Sequence, residues 1–194
     1  MVLVGRQRLT AHLIDFQPKP DQRYDQLDFF LNAVTSVTHT APHQEMTIRM
    51  TCRVDVMQDK SFEDVSPSLA TLPDLVGDIR DLSPTSPVHF LGPSPRLRPN
   101  ADVTGFALQH SSIADTVAQN VVRLGKALHD FITFDSTATT VDTDPTEAFQ
   151  KQRGVCQDMS HIMILALRAL GIPAAYVSGY LRTLPPEGGI RLDG

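Results

Sequence analysis

Residues 153–181 read RGVCQDMSHIMILALRALGIPAAYVSGYL and place one cysteine between a glycine and a long apolar run. Apolar side chains in the run 159–170 cover nearly every face of a helix, which is typical of a buried central helix. Gly171 is suited to end this helix, and Pro173 prevents it from resuming. The pattern therefore predicts that Cys156 lies at or near the first turn of a buried helix.

Cys156 at such a position is a candidate nucleophile. Only the thiolate of a cysteine attacks carbonyl carbons well, and a free thiol titrates near about pH 8.5. The unpaired N–H groups and the dipole at a helix N-terminus favour the anion, and the same groups can stabilise an oxyanion on the attacked carbonyl. The alternative is a structural cysteine, because free cysteines are among the most often buried residues. The other cysteine, Cys52, falls on the apolar face of a predicted strand, and we expect it to be buried.

Helical periodicity extends upstream of the cysteine. Apolar residues recur at steps of three and four between 113 and 132, which predicts an amphipathic helix with Ser111 or Ser112 as its N-cap. A second, short helix is expected from Pro145, which suits a first helical turn, to Gly154, which can adopt a left-handed C-cap conformation.

The N-terminal part of the chain reads as β-structure. Residues 46–56 alternate strictly between apolar and polar, which is typical of a half-buried strand. Residues 6–14 and 33–39 alternate less regularly but also favour strands. The expected unit is a small antiparallel sheet with one face in solvent. Past the cysteine helix, the β-forming residues 174–182 predict a further strand.

Residues 66–100 are rich in proline and follow neither period, so we expect an irregular connection there. The predicted organisation is a β domain over 1–65, this Pro-rich connection, and a second domain over 101–194.

Composition excludes several classes of function. The chain has 194 residues, a net charge of −5 and no cluster of lysine and arginine, which argues against a nucleic-acid partner. No apolar segment approaches the roughly 20 residues that cross a bilayer, and the start lacks the parts of a signal peptide. The two cysteines form neither a disulfide framework nor a metal-binding spacing, so we expect a cytoplasmic protein without metal or cofactor.

The cysteine stretch resembles the nucleophile segment of transglutaminase-like thiol enzymes, especially bacterial members with an N-terminal β domain. In that family a Gly-x-Cys-x-Asp stretch opens the central helix, an Arg-x-x-Gly-Ile-Pro segment closes it, and a Tyr-Val-x-Gly-Tyr strand follows. The matching residues here are Gly154, Cys156, Asp158, Arg168, Gly171, Ile172, Pro173, Tyr176, Val177, Gly179 and Tyr180. The resemblance is strongest over residues 115–185.

The resemblance implies an α+β fold: an N-terminal antiparallel β domain followed by a core of the papain-like cysteine enzyme type, incomplete at its C-terminal sheet. It implies that Cys156 attacks a peptide or glutamine-type amide and forms a thioester, which passes to water or to an amine, with hydrolysis slightly favoured. Gly154, Gln157, Asp158 and His161 are the supporting positions that the motif implies. No cofactor is implied, and the implied partner is a peptide or protein substrate.

The family's activating histidine and orienting aspartate lie downstream, in a His-Ala-Trp strand and an Asp-Pro turn, and no residue here matches either one. Ala175 stands where the family usually has arginine. Two alternatives to an enzyme chain therefore stay open: a non-catalytic scaffold that binds peptides, and a C-terminally truncated piece of an active protein, which we favour. A chain without the following strands is expected to self-associate through an exposed sheet edge.

His161 is the histidine nearest to Cys156 in sequence, five positions further along the helix. Five residues turn a helix by about 500°, which leaves the two side chains about 140° apart. Asp158, three residues before His161, shares its face, so we expect an Asp158–His161 hydrogen bond that braces the helix rather than a catalytic pair.

Overall fold

A computed structural model describes residues 7–57 and 63–179 of the chain. By contact density the chain divides into two compact units, one of which comprises Glu63–Val177 and the other the β-strands that precede it. The domain boundaries expected from the sequence stay a prediction.

The N-terminal unit contains four strands: β1 (Gln7–Gln17), β2 (Gln22–Leu27), β3 (Ala33–Thr38) and β4 (Thr47–Val56). β1 pairs antiparallel with β4, so that Phe16 lies opposite Ile48, and β2 pairs antiparallel with β3. The antiparallel strands that the alternating pattern predicts are therefore confirmed.

The expectation of a half-buried sheet is wrong for this unit. Ile48 is 57% exposed and Met50 is 53% exposed, although both lie on the alternating apolar face of β4. On β1, Phe16 is buried, but Leu13 is 64% exposed. Cys52, which we expected to be buried on the same face, is exposed as well. Alternation predicts which residues share a face, whereas burial also requires a second layer packed against that face.

The larger unit combines two helices of 15 and 14 residues with several shorter elements. In chain order, its helices and strands are α1 (Leu72–Gly77), α2 (Ala101–Gln109), α3 (Val117–Phe131), β5 (Thr133–Phe134), α4 (Pro145–Lys151), β6 (Arg153–Gly154) and α5 (Cys156–Ala169). A short 3-10 helix spans Pro87–Phe90. α5 contacts α2, α3 and α4 and supplies the largest share of the core, namely Ile162, Ile164, Leu165, Ala166 and Leu167.

The irregular Pro-rich stretch contributes to this core. Leu69, Leu72 and Leu97 are buried in the same hydrophobic cluster as the helices. The stretch is irregular in backbone, as the absence of either period predicts, apart from α1 and the 3-10 helix.

The start of α3 differs from the one expected, and one helix was not anticipated. α3 begins after Thr116, whose hydroxyl accepts from the N–H of Gln119 while the Gln119 side chain accepts from the N–H of Thr116. This capping box, rather than Ser111 or Ser112, sets the start of the helix. α2 was not expected at all; Asn100 caps it by accepting from two backbone N–H groups.

The ends of two helices also differ in part from expectation. Gln152, not Gly154, takes the left-handed conformation after α4, with φ 53°. Gly171 takes that conformation after α5, with φ 75°, as expected. Residues 174–179 contain no strand, so the expected strand is wrong over those six positions, and its remainder, 180–182, lies outside the described residues.

Candidate active site

Cys156 is the first residue of α5 and is exposed. The residue before it, Val155, is the N-cap and has extended backbone dihedrals. The first N–H groups of any helix lack partners within the helix, so the thiol lies beside backbone donors and the positive end of the dipole. The predicted position of Cys156, at the first turn of a mostly buried helix, is confirmed.

Asp158 fixes the start of this helix from inside. Its side chain is 1% exposed, and Oδ2 accepts from the backbone N–H of Val155 at 2.8 Å and from the hydroxyl of Thr139 at 2.6 Å. A carboxylate at the third helical position that accepts from the N-cap N–H is half of a capping box. The side chain thereby ties α5 to the loop that precedes α4.

Gly154 makes this arrangement possible. A Cβ at Gly154 would lie 2.7 Å from Oδ2 of Asp158 and 2.9 Å from its Cβ, closer than carbon contacts allow. Gly154 is buried and pairs with Phe134 in the parallel β5–β6 ladder. The glycine of the motif is thus required by the close approach of Asp158 to the backbone, not by a left-handed conformation.

His161 does not form the hydrogen bond that we expected. Among the residues that the structure describes, no hydrogen bond joins His161 to Asp158. Oδ2 of Asp158 instead accepts hydrogen bonds from Val155 and Thr139. The ring of His161 packs against Tyr176, with centroids 5.0 Å apart. Burial lowers the pKa of His161, the nearby charge of Arg96 lowers it further, and Asp158 opposes both effects.

Gln157, the residue after Cys156, lines a recess. Its amide donates to the carbonyl of Val141 at 3.2 Å, and Arg96 donates to the same carbonyl at 2.6 Å. The recess has a volume of about 300 Å³. Its lining residues are Arg96, Val141, Gln157, His161 and Tyr176.

Sequence reasoning missed Arg96 and Val141. Arg96 lies in the Pro-rich stretch, where no periodicity indicates which way a side chain faces. The motif alone indicates the α5 side of this recess.

Within residues 7–57 and 63–179, no hydrogen bond reaches the thiol of Cys156, and no group of three or more metal-binding side chains is present. Across the same ranges, no helix has both the length and the apolar character that crossing a membrane requires.

Two family models match parts of the chain. Residues 105–189 match the family model of the transglutaminase-like superfamily, and residues 4–55 match the bacterial transglutaminase-like N-terminal region.

Relatives occur in mycobacteria. Uncharacterized proteins of Mycobacterium bovis and Mycobacterium tuberculosis are 31% identical over 205 residues, covering 97% of this chain and 60% of their own length. An uncharacterized protein of Mycobacterium leprae is 27% identical and also covered over 60% of its length. The chain therefore spans about three fifths of the length of these relatives.

The fold also has a solved counterpart. A crystal structure described as a "Putative Cysteine Protease" from Cytophaga hutchinsonii superposes with a TM-score of 0.62 at 17% identity, over 87% of this chain and 55% of that one. At this identity the likeness concerns the fold, which is the mixed α and β fold expected from the resemblance. With a matching N-terminal region, a matching core and Cys156 at the start of the central helix, the chain belongs to the transglutaminase-like superfamily.

Proposed function

We propose that this chain carries the nucleophile of a thiol enzyme that acts on peptide or glutamine-type amides. The proposal rests on one observation above all: Cys156 is exposed at the first position of a helix whose remaining turns are mostly buried. An exposed sulfur held beside unpaired backbone donors can approach a substrate carbonyl, which a sulfur sealed in the core cannot.

The reaction proceeds in two steps. The Cys156 sulfur attacks the amide carbonyl carbon, the C–N bond breaks, and the leaving amine takes up a proton, which leaves a thioester on Cys156. Water or a second amine then attacks the thioester carbon and releases the thiol. Water is the acceptor that we favour, so hydrolysis is proposed ahead of transamidation.

A base must take the thiol proton and return it to the leaving amine. The family resemblance implies a histidine oriented by an aspartate, and the sequence, which contains no tryptophan, has no His-Ala-Trp match. His161 is a poor substitute because it lies about 140° around the helix from Cys156 and packs on Tyr176. We therefore assign the complete reaction to the whole protein, of which this chain supplies the nucleophile half.

The partner in this proposal is a peptide or protein substrate. The compartment that we propose is the reducing cytoplasm, in keeping with two cysteines that are both free and exposed.

The test is to trap the thioester on Cys156. The chain is incubated with a peptide in which the glutamine amide is replaced by a γ-p-nitrophenyl ester. The p-nitrophenolate leaves without a proton donor, so acylation does not require the general acid. Intact mass is then measured with and without hydroxylamine, which cleaves thioesters. We expect one acyl group per chain, located on Cys156 by peptide mapping and removed by hydroxylamine. Adding a primary amine and comparing acid with amide product separates hydrolysis from transamidation.

Matched variants decide the outcome. Cys156→Ala should abolish the adduct, while Cys52→Ser, which removes the other exposed thiol, should leave it unchanged. An adduct that persists in Cys156→Ala, or forms equally on Cys52, would overturn the proposal.

A non-catalytic peptide-binding role is the second candidate, and Ala175, which stands where the family usually has arginine, favours it. The peptide-binding role would be supported if the same peptide bound the chain but left no acyl group on Cys156.

A further inference from the structure

The recess lined by Gln157 has an arginine among its lining residues. This residue is Arg96, and 53% of its side chain is exposed. The guanidinium donates to the Val141 carbonyl at 2.6 Å and pairs with Asp142 at 3.1 Å. Asp142 is 84% exposed, so it holds Arg96 in place without burying its charge. An arginine has five N–H donors in a planar fork, and these two contacts do not use them all.

The remaining lining groups suit a polar, planar ligand. Tyr176 is 46% exposed, and its ring lies 5.0 Å from the imidazole of His161, with the two planes tilted by 47°. Burial and the nearby charge of Arg96 both lower the pKa of His161, which disfavours a second positive charge next to Arg96. Gln157 uses one amide hydrogen on the Val141 carbonyl and keeps a second donor and an acceptor.

The location of the recess ties it to the nucleophile. Gln157 follows Cys156 directly, so their Cα atoms are about 3.8 Å apart. Gln157 and His161 are four residues apart on one face of α5, which lies about 100–140° around the helix from Cys156. Cys156 does not line the recess itself, but the next residue, Gln157, does. A substrate group next to the reacting amide could therefore reach the recess while the carbonyl lies at the sulfur.

We propose that this recess is a specificity site that selects substrates with a carboxylate next to the reacting amide, and that Arg96 is the residue that reads the carboxylate. An acidic side chain or a terminal carboxylate of a peptide would pair with the guanidinium while the amide carbonyl lies at Cys156. The inference rests on the proposed function, since it names the substrate class of the same site. Arg96 is a binding residue here and takes no part in bond making.

The test uses two matched electrophiles, the α-amides of N-iodoacetyl-glutamate and N-iodoacetyl-glutamine, which have no terminal carboxylate and differ only in the charge of one side chain. Alkylation rates of Cys156 and of Cys52 are measured in the same sample by peptide mass spectrometry. Cys52 is also exposed and serves as the internal reference for intrinsic probe reactivity. We expect Cys156 to favour the glutamate probe about fivefold relative to Cys52, the size of a good exposed charge pair, and the preference to fall at high salt.

Three variants assign the effect. Arg96→Gln should remove the preference, and Arg96→Lys, which keeps the charge but not the fork, should retain part of it. Arg98→Gln removes an exposed arginine two positions away that does not line the recess, and it should change nothing.

The inference is overturned if Cys156 and Cys52 show the same probe ratio, or if Arg96→Gln leaves the ratio intact. Rapid alkylation of Cys156 by both probes without preference would overturn this inference alone. Alkylation of Cys156 no faster than Cys52 with either probe would instead count against the proposed nucleophile.

Discussion

Three residues at the start of α5 together keep the Cys156 thiol exposed. Cys156 is exposed at the first helical position, and Asp158, two residues later, is buried and accepts from the N-cap N–H. Gly154 leaves the space that Asp158 fills. The helix start is thus held from within, so the thiol can face outward without the first turn fraying.

The need for glycine at 154 can be measured directly. Gly154→Ala would push a Cβ into Asp158, and we expect it to lower the free energy of unfolding by about 1–3 kcal/mol, the usual cost of overpacking. The control is Gly125→Ala in α3, where an added Cβ meets nothing within 4 Å. That change should raise stability by about 0.5–1 kcal/mol, because alanine is the better helix former. Equal effects of the two changes in denaturant titrations would contradict the role of Gly154.

His161 should make stability depend on pH. Its pKa in the folded chain lies below its ordinary value of 6.5, first because of burial and then because of Arg96. The unfolded chain then binds the proton more readily, so the free energy of unfolding should fall as pH drops below about 6.5 and level off below the folded pKa.

The matched variant for this prediction is His161→Phe, which keeps a ring against Tyr176 but cannot be protonated. It should flatten the stability profile between pH 7 and 5, whereas His129→Gln, which removes an exposed histidine of α3, should not. A profile with the same slope in the parent chain and in His161→Phe would refute the prediction.

The sequence placed Cys156 correctly but paired Asp158 with the wrong partner. Helical spacing brings Asp158 close to both His161 and the N-cap, and spacing alone cannot choose between them. The choice depends on Thr139, which is 19 residues upstream in an irregular loop and donates to the carboxylate. Long-range contacts of this kind leave no periodic signal.

At the scale of elements, side-chain hydrogen bonds connect both ends of α5 to other segments. Asp158 ties its start to the loop before α4, and Arg168 ties its end to two other segments. Arg168 donates to the Ala174 carbonyl at 2.7 Å and 3.0 Å and to the Gly92 carbonyl at 2.6 Å. The same arginine therefore fixes the Pro-rich stretch and the segment that brings Tyr176 against His161.

Replacing Arg168 by lysine tests this anchor. A lysine ammonium cannot reproduce the forked contacts, so Arg168→Lys should lower the free energy of unfolding by about 1–2 kcal/mol. Arg123→Lys is the control, since Arg123 forms an exposed ion pair with Asp115 and its change should cost at most about 0.5 kcal/mol. Chemical denaturation of both variants gives the comparison, and equal losses would speak against an anchoring role.

Elements with a strong period were predictable, and elements set by local caps or by distant packing were not. α5, α3 and β4 lie where periodicity places them. The start of α3 depends on the Thr116–Gln119 capping box. The sequence also offers Ser111 and Ser112 as N-cap residues, and we expected one of them instead. Residues 174–179 have β-forming side chains but no strand, because a strand needs a partner to accept its hydrogen bonds.

At the scale of the molecule, the two units differ in how much they bury. The unit of Glu63–Val177 has a continuous core of leucine, isoleucine, valine, alanine and phenylalanine, whereas the β1–β4 pair leaves large apolar side chains in solvent. Each described sheet has two strands, so each strand has an edge without a neighbour in its sheet. Exposed edges and apolar faces favour pairing with another chain.

We therefore expect the chain to self-associate through its N-terminal sheet as concentration rises. Met50→Lys places a charge on the apolar face of β4 and should lower the mass measured by light scattering. Thr51→Lys adds the same charge to the other face of the same strand and should lower it less. A constant monomer mass across concentrations, or equal effects of the two lysines, would rule out this surface.

The reactivity of Cys156 decides most directly whether α5 presents a nucleophile. Both cysteines are exposed, so iodoacetamide at pH 7 and low salt compares two accessible thiols in one molecule. If the N-terminus of α5 favours the thiolate, Cys156 should be alkylated several times faster than Cys52, on the order of fivefold for a charge at a helix end. Equal rates, or faster modification of Cys52, would mean that the helix does not activate the sulfur.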